Sequence, residues 1–147
     1  MATFVFMIII ADSGSTKCTW LLNDGEKTTS VRTRGINAIQ HTPEQIRETL
    51  SAVPECGPVE AVYIYSAGCS PAFPAANEKL RRELEARFHA PEISVQSDLL
   101  GAARALFGRE EGIACILGTG ANSCHCRGGE VLHNVSALGY ILGDEGS

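Results

Sequence analysis

No stretch of the 147-residue sequence approaches the run of about 18 apolar residues that a membrane-spanning helix needs. The apolar opening, Met1–Ala11, carries no basic flank and no A-x-A cleavage site and runs directly into Asp12. It reads as a buried strand rather than a secretory signal, and the expected location is cytoplasmic. Bases are not in excess: 12 Lys and Arg against 17 Asp and Glu leave a net charge of −5, which speaks against a nucleic-acid face. A P-loop of the form G-x-x-x-x-G-K-[ST] is absent, as is any low-complexity linker. Hydrophobic residues at 44% and charged residues at 20% exclude a disordered chain and fit an ordinary globular one.

The six cysteines (Cys18, Cys56, Cys69, Cys115, Cys124 and Cys126) lack a secretory context and read as free thiols. Cys124-His125-Cys126 has no second pair at zinc-ligand spacing, so an alternating strand that happens to carry two thiols is preferred to a metal fragment.

Glycine is plentiful instead: 15 residues, about a tenth of the chain against a usual share of roughly 7%. Many fall in short clusters beside Ser, Thr, Asp or Asn, and the clusters punctuate a regular pattern. Phe4–Ala11 is a run of β-formers without alternation, which predicts a central strand buried on both faces. Lys17–Leu22 and Lys27–Arg34 read as two further strands around the hairpin dipeptide Asp24-Gly25. Thr42, Pro43 and Gln45 spell a capping box with Pro at N1, followed by Ile46, Leu50 and Val53 on one helical face. A strand over Val59–Ser66, a helix near Ala75–His89 with Leu80, Leu84 and Phe88 inward, and a strand at Glu92–Gln96 follow. Asp98 stands where a helix N-cap belongs, before a helix over Leu99–Phe107. Gly112–Leu117, Ser123–Arg127 and Val131–Val135 form a second meander with its own glycine turn. The order βββαβαβα-βββ hints at an internal duplication of which the second copy is only begun.

Four constellations could carry chemistry. Asp12-Ser13-Gly14-Ser15-Thr16-Lys17 ends the first strand in a turn of small residues, whose N–H groups and hydroxyls suit a phosphate, beside a carboxylate able to hold Mg²⁺. Gly118-Thr119-Gly120-Ala121-Asn122 repeats that logic between two later strands. Ser97-Asp98 could supply a base that deprotonates a hydroxyl attacking a γ-phosphate, set against the plainer reading of a capping residue. Gly143-Asp144-Glu145-Gly146-Ser147 places two acids between glycines, fit for sugar hydroxyls or a metal.

Taken in order with Gly35-Ile36-Asn37, Ser66-Ala67-Gly68 and Gly139, these motifs resemble the actin/Hsp70/sugar-kinase superfamily. More narrowly, the chain resembles the N-acetylglucosamine kinase-like members of the BadF/BadG/BcrA/BcrD ATPase family. That resemblance implies an α/β, ribonuclease H-like (actin-like ATPase) fold with a mixed five-stranded sheet and ATP in the cleft between two lobes. It places Gly14, Ser15, Thr16 and Lys17 at the β- and γ-phosphates, Asp12 at Mg²⁺, and Gly118, Thr119 and Gly120 in the second phosphate loop. Asp98 becomes the base acting on the sugar 6-hydroxyl. Asn37 and Asp144 fall at positions that hold the amino sugar, Asn122 lies beside them, and Ser66 and Gly68 are expected among the substrate-binding residues. Members are about twice this long, so residues 1–108 are expected to form the first lobe and 109–147 the opening meander of a truncated second one. The expected partners are a small-molecule sugar and a second copy of the chain, with no nucleic acid and no membrane. Two other readings stand beside the kinase: an ATPase activator of a radical dehydratase, whose iron–sulfur ligands would come from Cys115, Cys124 and Cys126, and a non-catalytic nucleotide- or sugar-binding fragment.

Overall fold

The computed structural model describes residues 6–135, which form two compact units divided between Gln96 and Ser97. The first contains β1 (Met7–Ser13), β2 (Lys17–Asn23), β3 (Thr28–Arg34), α1 (Pro43–Ser51), β4 (Val59–Ser66), α2 (Pro74–Phe88) and β5 (Glu92–Ser97), which reaches the division. Its five strands run in the order β3-β2-β1-β4-β5. β1 pairs antiparallel with β2 and parallel with β4, so the sheet is mixed.

Both helices cover one face of this sheet. Ile9, Ala11, Cys18, Trp20, Val62 and Ile64 point to that face and pack with Ile46, Leu50 and Val53 from α1 and its end, and with Leu80, Leu84 and Phe88 from α2. The capping box at α1 forms as its residues dictate: Thr42 accepts from the Gln45 N–H while the Gln45 side chain accepts from the Thr42 N–H. α2 begins at Pro74 without a side-chain cap. Arg87 fastens the helices together by donating to the carbonyl of Val53 at 2.7 Å.

The expectation that β1 is buried on both faces is corrected. Ile9 and Ala11 are fully buried, but Ile10 is 41% exposed and Asp12 lies on the same open face. The unbroken apolar run suggested two covered faces; with α1 and α2 on one side, alternate residues of β1 remain accessible.

The second unit holds α3 (Asp98–Phe107) and an antiparallel sheet of β6 (Gly112–Leu117), β7 (Ala121–Arg127) and β8 (Glu130–Val135), in that order. Leu99 and Ala103 pack against Ala114, Cys124 and Cys126. Cys124 and Cys126 are thus core thiols on one strand face, and His125 points the other way, beside His133. The division into compact units falls ahead of α3 because α3 packs on this sheet.

Candidate functional site

In the first unit, three segments distant in sequence meet at the end of β1 and β4. The β1–β2 turn closes with the Gly14 N–H donating to the Lys17 carbonyl at 3.0 Å, and Gly35 donates to the Thr16 carbonyl at 2.9 Å. Gly35 must be glycine here: a Cβ would stand 2.1 Å from the Gly14 carbonyl oxygen. Gly68 is held at φ +76°, and a Cβ there would stand 2.4 Å from Asn37 Oδ1. Ser13 Oγ accepts the Ile36 N–H at 2.7 Å, and Ser66 Oγ donates to the Ile36 carbonyl at 2.8 Å. Sequence reasoning reads Ser13 only as part of the polar turn and misses its bond to Ile36, because that partner lies 23 residues away.

This joint decides what each expected residue can do. Asp12, Gly14, Ser15, Thr16, Lys17, Asn37, Ser66 and Gly68 are brought together. Ser66 is fully buried and its hydroxyl donates to the Ile36 carbonyl, which makes it part of the scaffold of this joint. Asn37 is mostly scaffold too: Nδ2 donates to Ser15 Oγ at 3.1 Å, and Oδ1 accepts from the Ile39 and Gln40 N–H groups. Asp12 differs. Its exposed carboxylate makes no hydrogen bond or ion pair among the described residues, two positions before the turn. An unneutralised carboxylate beside hydroxyls and a lysine fits a hydrated Mg²⁺ carried by a phosphate chain.

In the second unit, α3 sets the geometry. Arg104 near its C-terminal end donates to the Gly129 carbonyl at 3.0 Å, and the Gly128 N–H donates to the Arg109 carbonyl at 2.9 Å. That end of α3 therefore lies at the β7–β8 turn. The Gly118-Thr119-Gly120 turn joins β6 to β7 at the opposite end of the sheet from the β7–β8 turn. Asn122 is the second residue of β7, paired with Ile116, on the strand face of Cys124 and Cys126. Among the described residues its Oδ1 is buried without a hydrogen-bond partner.

The expected N-cap is corrected by one residue. Ser97 caps α3, its Oγ accepting from the Leu100 N–H at 3.1 Å, and Asp98 is the first helical residue, accepting from the Leu99 N–H at 2.9 Å. Ser97 sits in extended backbone (φ −71°, ψ 147°), as a cap requires. Asp98 thus satisfies a second N–H of the first turn, where an acid also suits the helix dipole. Asp144 lies outside the described residues.

A crystal structure from Porphyromonas gingivalis matches the chain with a TM-score of 0.79 and 48% identity, over 94% of this chain and 50% of its own. A second, from Chromobacterium violaceum, matches with a TM-score of 0.72 and 18% identity, over 95% and 52%. Both are described as putative N-acetylglucosamine kinases. The resemblance to N-acetylglucosamine kinase-like proteins is therefore found across nearly the whole chain. The chain spans about half the length of both of these relatives. At 18% identity the second speaks to the fold alone. No protein-family model and no curated protein matches. The fold is α/β and ribonuclease H-like, that of the actin-like ATPases.

Proposed function

We propose that the chain is part of an ATP-dependent sugar kinase of the BadF/BadG/BcrA/BcrD type, acting on the 6-hydroxyl of N-acetylglucosamine or a closely similar amino sugar. The 48% identity to the Porphyromonas gingivalis protein carries this reading. Gly14–Lys17 and Gly118–Gly120 receive the phosphates of ATP, and Asp12 holds Mg²⁺ through its unpaired carboxylate. The bound nucleotide supplies the γ-phosphoryl group. Asp98 accepts the proton of the sugar hydroxyl, and Asn122 Oδ1 takes a hydrogen bond from the substrate. Residues 1–108 correspond to the first lobe and the remainder to the start of the second. The protein acts in the cytoplasm as a homodimer, a state that sedimentation reads directly.

Cys124 and Cys126 oppose the radical-dehydratase reading, because both are buried against α3 rather than offered to a cluster. The test is calorimetric titration of the 147-residue chain with Mg·ATP and, separately, with N-acetylglucosamine. Saturable heat with Mg·ATP is expected, with little turnover by the chain alone. Binding of sugar without nucleotide would favour a sensor or an inert fragment, and binding of neither would end the kinase reading.

A further inference from the structure

The open face of the first sheet carries a charge arrangement that the fold itself does not use. Lys17 on β2 stands directly opposite Arg34 on β3, and Thr19 stands opposite Arg32. The alternation that buries Cys18, Trp20 and Leu22 puts Lys17, Arg32 and Arg34 together on the other face, all exposed. Like charges directly opposite in an antiparallel pair are destabilising, and a third cation two residues along adds to the repulsion. The usual remedy is a neighbouring carboxylate, and elsewhere it is applied: Arg47, Arg81, Arg82, Arg87, Arg104 and Arg127 each meet a glutamate. Among the described residues, Lys17, Arg32 and Arg34 meet none. In a chain of net charge −5, three unpaired cations collected on one face are an uncompensated positive site.

Their position says what would compensate them. Arg34 immediately precedes Gly35, whose backbone lies against the Gly14–Lys17 turn and donates to Thr16. The row Asp12–Thr19–Arg32 crosses three adjacent strands, so the unpaired carboxylate and the cations share one face at one end of the sheet.

We propose that Arg34 and Arg32 extend the phosphate-binding turn into a site for an oligophosphate chain. Arg34 meets the terminal phosphate oxygens and Arg32 lies next along the face, while Asp12 takes the accompanying Mg²⁺. This rests on the nucleotide-binding reading above and adds two residues to it. A guanidinium suits the role because its planar fork engages phosphate oxygens bidentately.

The experiment is equilibrium titration of the 147-residue chain with Mg·ATP, inorganic tripolyphosphate and inorganic monophosphate. It is run on the unaltered chain and on Arg34→Gln, Arg34→Lys, Arg32→Gln and Lys27→Gln. Lys27 belongs to the same hairpin but lies at its far end, beside Asp24. Arg34→Gln is expected to weaken tripolyphosphate and Mg·ATP about tenfold, the effect of losing one charge-assisted hydrogen bond. Arg32→Gln should weaken both severalfold, Arg34→Lys should restore part of the loss, and Lys27→Gln should change nothing. Added salt should weaken binding less steeply in Arg34→Gln than in the unaltered chain. The thermal midpoint of ligand-free Arg34→Gln should be equal or higher, because the repulsion with Lys17 is removed, which separates lost binding from lost folding. Equal affinity for tripolyphosphate and monophosphate, or undiminished binding by Arg34→Gln, overturns the extended site while leaving the nucleotide reading intact. A chain that binds neither Mg·ATP nor tripolyphosphate overturns both.

Discussion

Ser66 donates its hydroxyl to the carbonyl of Ile36 at 2.8 Å, across 30 residues of sequence and wholly inside the protein. Ser13 accepts the N–H of the same residue at 2.7 Å. One peptide segment is thereby clamped between the ends of β1 and β4, and that clamp shapes the turn assigned to phosphate. Ser66→Ala removes the donor and leaves the Ile36 carbonyl with only the 3.3 Å contact from Ser13. The expected cost is about 1–3 kcal/mol, the penalty of an under-satisfied buried group. Urea unfolding followed by the fluorescence of buried Trp20 reads it. Loss of sugar affinity without loss of stability would return Ser66 to a ligand-contacting role.

Gly35→Ala asks a harsher question of the same joint. The added methyl would stand 2.1 Å from the Gly14 carbonyl oxygen and 2.7 Å from the Lys17 nitrogen, both backbone atoms. The turn must move, at about 1–3 kcal/mol or more, and nucleotide affinity should fall with stability. Gly57→Ala is the comparison, because nothing lies within 4 Å of a Cβ there. It should stay within about 0.5 kcal/mol of the parent. Equal effects at the two sites would show that the close approach is not rigid.

The sequence pattern reveals the joint's ingredients but not its assembly. Thr42 with Gln45 announces α1, and Asp24-Gly25 announces the first hairpin, because each signal acts over a few residues. The meeting of Ser13, Ile36 and Ser66 depends on the parallel pairing of β1 with β4, which no local pattern encodes. The same limit hides the open face of β1: Met7–Ala11 is apolar throughout, and only the placement of both helices on one side decides that Ile10 is uncovered. Ser97 and Asp98 are both good capping types, and a sequence offers no means of choosing between neighbours. The structure hands the cap to Ser97 and sets Asp98 as the first helical residue, where its carboxylate accepts from the Leu99 N–H.

That division of labour is testable. Ser97→Ala should destabilise the second unit by about 1 kcal/mol, the usual value of an N-cap. Asp98→Asn should cost much less stability, because Ser97 retains the cap. In a longer protein that carries this chain and phosphorylates sugar, Asp98→Asn should lower kcat by about two to four orders of magnitude with KM for the sugar little changed. Unchanged kcat would leave Asp98 as a residue of the first helical turn and nothing more.

The cysteines should separate by exposure in a thiol-labelling experiment. Cys115 is exposed and should react first in the native protein. Cys56 is half-buried and its thiol is pushed up, chiefly by burial, so it should follow more slowly. Cys18 is buried, with its pKa raised to about 12, and should react only on unfolding, together with Cys69, Cys124 and Cys126. Mass spectrometry after a timed pulse of iodoacetamide reads the order. Rapid native labelling of Cys124 or Cys126 would contradict their burial against α3.

Glu111 should make the second unit sensitive to acid. Its carboxylate accepts from Arg127 at 2.7 Å and meets His125 Nε2 at 2.8 Å, and those two bonds, Arg127 first, hold its pKa below the usual glutamate range. A carboxyl with a depressed folded pKa binds fewer protons than it does in the unfolded chain. Its stabilising contribution is therefore complete above the ordinary glutamate pKa and is lost as the pH falls through the lower folded value. The group is exposed, so the contribution is small and is reduced further by salt. Carboxyl-resolved NMR titration should give a midpoint for Glu111 below the usual range, and Arg127→Gln should move that midpoint upward. Glu111→Gln should separate from the parent in thermal midpoint near neutral pH and converge with it in acid. Convergence at neutral pH and separation in acid would reverse the sign and show that the pair does not form.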